Sequence, residues 1–127
     1  MQDLSDEEIL KVIGDFLEKG LAENIVAMFK KDPDLHRLTG RLLKDERFMV
    51  RIGVAVLYEE LALIRPGETA LAITGLRPLL TDETPYVRGE ACNILGIINN
   101  REARELLAPM RKDPDPQVRE IVADLLD

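Results

Sequence analysis

The sequence predicts an all-α fold: an α-solenoid, or α-α superhelix, of about four stacked helical hairpins. Three observations carry this. Apolar residues recur at helical spacing nearly everywhere, with no convincing run of strand alternation. Short breaks containing Gly, Pro, Asp or Asn divide the chain into eight such segments. A phrase of Asp, four residues, then Val-Arg occurs three times, at offsets of 37 and 31 residues.

Taken in order, Ser5 opens the first helix in a capping box with Glu8. Ile9, Ile13 and Phe16 share a face, and Gly20 supplies a left-handed stop. The second helix runs through Ile25, Met28 and Phe29 to about Lys31. Asp32-Pro33 begins the third, since Asp accepts from free helix amides and Pro fits the first helical position. Leu35, Leu38 and Leu42 follow. The fourth is long, with Val50, Val54, Leu57, Leu61 and Ile64 on one stripe before Arg65-Pro66-Gly67 ends it. The fifth spans about 68–80. Thr84-Pro85 opens the sixth, with Val87, Ala91, Ile94 and Ile98 as its stripe. Asn99-Asn100 leads to a seventh over about 101–111, and Asp115-Pro116 to an eighth carrying Val118, Val122 and Leu125.

The repeated phrase sets the register. It reads Asp45 to Val50-Arg51, Asp82 to Val87-Arg88 and Asp113 to Val118-Arg119. Upstream, Leu76-Arg77-Pro78-Leu79 overlays Leu107-Ala108-Pro109-Met110, so two helices carry an internal Pro and should bend there. Four pairs result, at about 5–31, 34–64, 67–98 and 100–126 within a single domain over 1–127. No pair buries its apolar face alone, so neighbours must stack, with the first pair as a cap.

Val87-Arg88-Gly89-Glu90-Ala91-Cys92-Asn93-Ile94-Leu95-Gly96-Ile97-Ile98 resembles the second helix of HEAT repeats, more closely the short HEAT-like type of the phycobilisome-lyase-like repeat family. The stretch from Val50 departs from that pattern, with Val54 in place of Ala and Tyr58-Glu59 in place of Leu-Gly. The resemblance covers 45–127. It implies that the second, or B, helix of each pair lines a concave side, and that the job is protein–protein interaction.

Composition narrows the function. The chain of 127 residues carries 24 acids and 17 bases, a net charge of −7, which opposes binding to a phosphate polymer. Twenty Leu, ten Ile and eight Val with no Trp make the core aliphatic and deprive a nucleic-acid reader of stacking platforms. One Cys and one His exclude a disulfide framework, a Cys-rich zinc site and His-rich metal chemistry. No run of about 18 apolar residues suggests a membrane span. The polar start Met1-Gln2-Asp3-Leu4 lacks the features of a signal peptide, so the cytoplasm is expected. No cofactor and no catalysis are predicted.

Candidate sites follow from the register. Asp45, Asp82 and Asp113 (or Asp115) can cap the B helices. Arg51, Arg88 and Arg119 can reach a neighbouring turn Asp and form a ladder between repeats, anion binding being the lesser alternative. His36 reads as a surface residue and Cys92 as a small, partly buried filler. The fourth helix has more apolar residues than one stripe needs: Phe48, Met49, Ile52, Val56 and Tyr58 fall on its other faces. They are either packed between neighbours or exposed as a docking patch. On the predicted concave face, Phe48, Ile52, Val56, Glu60, Glu90, Asn93, Glu120 and Asp124 are the candidate partner-binding residues. If the ladder occupies the Arg residues, the remaining charge is negative and the partner surface basic or apolar. An accessory or chaperone-like subunit related to HEAT-like chromophore lyases is the alternative function. A HEAT-like DNA-repair role comes behind it.

Overall fold

Ser5 and Glu8 close the first capping box as the sequence expects: the Ser5 hydroxyl accepts from the Glu8 N–H at 3.2 Å, and the Glu8 carboxylate from the Ser5 N–H at 3.0 Å. The computed structural model describes residues 3–127; Met1 and Gln2, the start of the polar N-terminus read above, lie outside the described residues. Helix α1 spans Asp6–Glu18 and stops at Gly20, whose φ of 78° is the left-handed turn predicted for it. Helix α2 spans Ala22–Lys31.

Helix α3 (33–42) winds first as a 3₁₀ turn, Pro33–Leu38, and then as a single α turn, Thr39–Leu42, with the Asp32 carboxylate accepting from the Asp34 N–H. Helix α4 is Phe48–Ile64. Helix α5 (66–81) alternates α and 3₁₀ winding. Helix α6 is Pro85–Ile98, α7 covers 101–112 and α8 is Pro116–Leu126. At Pro78 and Pro109, where bends are predicted, the winding tightens to 3₁₀ over Arg77–Thr81 and Ala108–Lys112. The missing N–H of each Pro removes an α-helical bond there. No strand occurs among the described residues.

The helices form two layers. The B helices α4, α6 and α8 lie side by side, and α3, α5 and α7 cover them. Aliphatic side chains fill the space between: Val54, Leu57 and Leu61 of α4, Leu76 of α5, Ala91 and Ile94 of α6, and Val122 of α8 are all buried. Small residues set the spacing. In the outer layer Gly40 meets the backbone of Gly75, and a Cβ at Gly40 would collide with the Gly75 carbonyl. In the inner layer Gly89 and Gly96 of α6 receive Ile121 and Leu125 of α8. This is an all-α, HEAT-like solenoid.

The first hairpin is placed differently from the others. Both α1 and α2 lie against α4, and the N-terminal turn of α1 reaches α3 through Asp6–Arg37 at 2.8 Å and Glu7–Arg41 at 2.8 Å. Arg47 fastens the other end, holding Asp15, Glu18 and Asp45 at 2.9–3.0 Å. These ion pairs fasten the first hairpin across α3 and α4.

Candidate binding face and the corners that hold it

The three repeat corners share one wiring. In each, the Asp carboxylate accepts the N–H two residues on, from Arg47, Thr84 or Asp115, at 2.9 Å. The Arg six residues later folds back and donates to the carbonyl of that Asp, at 2.8 Å for Arg51 and Arg88 and 2.7 Å for Arg119. It also donates to the next carbonyl, of Glu46, Glu83 or Pro114. The Asp side chain therefore shapes the turn ahead of the helix instead of capping it. Of the three corners only the last adds a capping Asp, Asp115, which accepts from the N–H groups of Gln117 and Val118 at the start of α8.

Between repeats the ladder is irregular. Arg88 grips Asp113 of the next corner with two bonds, 2.8 and 3.0 Å, in a pair whose side chains are only 11% and 3% exposed. Arg51 does not reach Asp82. It turns to Glu90 at 3.2 Å and lies 4.2 Å from the Tyr86 ring centre and 5.6 Å from that of Phe48. Asp82 takes Lys44 instead, at 3.5 Å. Arg119 belongs to the last corner and has no acidic partner within 4.0 Å among the described residues. The guanidinium of Arg88 keeps the Asp113 carboxyl below the ordinary carboxylate range despite its burial.

With these Arg residues occupied, attention moves to the outer side of the B helices. Phe48, Ile52 and Val56 of α4 are all exposed, Phe48 by 61%, and Glu60 continues the same line. Met49 and Leu63 extend the patch, Leu63 being 79% exposed. Of the apolar excess on this helix only Tyr58 is fully buried. Applying the repeat offsets, Ile52 corresponds to Gly89 and Glu120, and Val56 to Asn93 and Asp124. Glu120 and Asp124 are exposed on α8, while Asn93 is half-buried on α6. The face is thus apolar on α4, small and neutral on α6, and acidic on α8. Glu90 is one position off this line, in register with Gly53 and Ile121, and its carboxylate is engaged by Arg51, so it adds no free charge.

A cleft of about 480 Å³ opens at one side of this face, between α2 and α4, and has Val26, Val56, Leu63, Glu23, Glu59 and Glu60 in its walls. The sequence singles out Val56 and Glu60 but misses Leu63 and the α2 wall. Leu63 was legible, since it stands seven residues beyond Val56 and returns to the same side of the helix. The α2 wall was not, because no local pattern says which face of α2 meets α4.

His36 corrects the expectation of a surface residue: it is fully buried. Its Nδ1 is 2.6 Å from the Tyr58 hydroxyl, which is also 2.6 Å from the Thr39 hydroxyl, and Phe29 meets the imidazole edge-on at 4.9 Å between ring centres. Burial pushes the imidazole pKa down to about 4, and Nε2 has no hydrogen-bond partner among the described residues. Tyr58, the departure from the resemblance noted above, is the residue that accommodates His36. Cys92 is wholly buried and its thiol is pushed up to about 12, chiefly by desolvation. No group of three His, Cys, Asp or Glu that could hold a metal ion is present among the described residues. No described helix is long and apolar enough to cross a membrane.

Comparison with known families supports the architecture. Residues 73–127 match the family model for HEAT repeats. This C-terminal stretch is similar to HEAT repeats. The matched segment begins within α5 and takes in the Arg88–Asp113 corner, the most regular part of the stack. The match is to HEAT repeats in general and does not single out the phycobilisome-lyase-like type. No curated protein and no solved structure matches the chain significantly. HEAT repeats generally serve protein interaction.

Proposed function

We propose that this protein is a non-catalytic, HEAT-repeat binding module that receives a protein partner on the exposed side of its B helices, centred on α4. The observation that carries the reading is the exposure of Phe48, Met49, Ile52, Val56 and Leu63 on a helix whose opposite side is fully packed. An apolar patch of this kind on a stacked scaffold is most useful when a partner covers it. The scaffold is preformed, so little ordering entropy is lost on association. The net charge of −7 and the acids of α8 favour a basic or apolar protein surface over a nucleic acid.

The test begins with capture from the native source, using the wild-type chain and an Ile52→Asp, Val56→Asp variant. Recovered proteins are then purified and titrated directly against both. A partner whose affinity falls at least tenfold with the variant supports the reading. Partners that bind both forms equally place the binding site elsewhere and refute it. Charge reversal at Glu120 and Asp124 asks the same of α8; Glu90 is unsuited to this because Arg51 would lose its carboxylate.

A further inference from the structure

The cleft between α2 and α4 differs from the rest of the face in combining apolar walls with clustered charge of one sign. Ala22 and Val26 line it from α2, and Val56 and Leu63 from α4. Glu23 stands on the α2 side and Glu59 and Glu60 on the α4 side. All three carboxylates belong to exposed residues, and none has a cationic partner within 4.0 Å among the described residues. This sets them apart from the acids that hold the fold. Asp6, Glu7, Asp15, Glu18, Asp45, Glu90 and Asp113 each sit on an Arg. Like charges gathered beside apolar surface repel one another and raise the local potential, a cost that an incoming cation relieves.

Resting on the function proposed above, we infer that this cleft holds a short cationic, apolar segment of a partner protein: apolar side chains seated against Val26, Val56 and Leu63, with Lys or Arg beside them facing Glu23, Glu59 and Glu60. Val56 and Leu63 are seven residues apart on α4, so the apolar wall is two helical turns, about 10 Å, long. That length takes two or three side chains of the incoming segment. A second copy of this chain is disfavoured as occupant, because each copy carries a net charge of −7 and would bring further negative charge to the cleft. The apolar contacts supply affinity, while the three carboxylates select sign and orientation.

The probe is a library of random twelve-residue peptides displayed on phage and selected on the full chain. Enriched peptides are synthesised and titrated by fluorescence anisotropy. The inference expects enriched sequences with net positive charge and at least two large apolar residues. It expects their affinity to fall tenfold or more for Glu59→Gln, Glu60→Gln and likewise for Val56→Ser, Leu63→Ser, and to weaken as salt rises from 50 to 300 mM. All of these substituted side chains are exposed or at the cleft rim, and circular dichroism checks that each variant keeps its helix content. Enrichment of neutral or acidic peptides, no enrichment, or indifference to both double variants overturns the inference. Loss of binding to Phe48→Ser, Ile52→Ser with the cleft variants unaffected also overturns it, while leaving the broader α4 face as the binding surface. Concentration-dependent dimers abolished by Leu63→Ser would show that a second copy fills the cleft and overturn it too.

Discussion

Replacing Arg88 by Ala tests the wiring of the stack most directly. The guanidinium makes two bonds to Asp113, at 2.8 and 3.0 Å, and donates to the carbonyls of Asp82 at 2.8 Å and Glu83 at 3.4 Å. It therefore ties its own corner to the next one. Removal leaves the Asp113 carboxylate, 3% exposed, with only the Asp115 N–H at 2.9 Å. Breaking a buried pair on one side costs about 3–5 kcal/mol, because the remaining charge stays desolvated. The residual 11% exposure of Arg88 lets water reach the vacated space, which places the expectation near the lower end, about 3 kcal/mol. For a chain of this size that is a fall in Tm on the order of 10 °C. Asp113→Asn keeps the shape and the Asp115 contact and should cost less, about 2 kcal/mol. The control is Arg77→Ala, which breaks the Arg77–Glu102 contact; both of those side chains are more than half exposed, so stability should change little. Urea unfolding followed by circular dichroism at 222 nm gives all three values without needing a Trp. Equal losses for Arg88→Ala and Arg77→Ala would refute the reasoning, since burial would then make no difference to these pairs.

Acid should act through His36. With its folded pKa near 4 against 6.5 for the free side chain, both states are neutral above pH 6.5. Between those values only the unfolded chain takes up the proton, so stability falls as pH drops from 6.5 to 4, by about 3 kcal/mol in all, and then levels off. Urea midpoints across that range check it, and a His36→Leu variant should flatten the slope. Below this window Asp113 takes over: its pKa is depressed by Arg88, so its contribution is complete above the ordinary carboxylate value and is lost as pH falls through the lowered one. Gly40→Ala should destabilise despite the better helix propensity of Ala, by about 2 kcal/mol, because the new Cβ meets the Gly75 carbonyl, which is backbone and has no rotamer to yield. Thermal melts decide this, and a rise in Tm would contradict the close approach. Cys92, buried and with its thiol pushed up to about 12, should resist a water-soluble thiol reagent in the native state and react fully in denaturant.

What the sequence discloses about this molecule is mostly what depends on near neighbours in the chain. The Ser5–Glu8 box, the Gly20 stop, the Asp115-Pro116 opening and the two internal prolines act within a turn or two, and each leaves its mark where expected. The repeated phrase adds a rule of long range, but only for backbone register. It gives Arg51, Arg88 and Arg119 equivalent places and the same bond to the carbonyl six residues back. It does not say which carboxylate the free end of each side chain will find. Arg51 has Tyr86 and Glu90 within reach, where Arg88 has Asp113, because Met49, Tyr86 and Gln117 differ at one register position and Asp82 is drawn towards Lys44.

The same limit explains His36 and the cleft. Charge and polarity suggest that a His next to Arg37 faces water; burial is decided by Tyr58 and Phe29, which arrive from other helices. The apolar excess of α4 is equally two-sided in sequence. Its fate turns on where the first hairpin docks: α1 covers Gly53 with Leu17, and α2 approaches near Val26. Had α2 shifted across α4 by one helix width, Val56 and Leu63 would be core and the Glu59–Glu60 pair would face the hairpin. Instead the cap stops short, and its edge is what turns an apolar helix face into a recess with two walls. Trimming that edge is therefore a discriminating perturbation: Val26→Ala, Glu23→Ala should leave the corners around Arg47 and Arg88 intact while weakening whatever binds between α2 and α4.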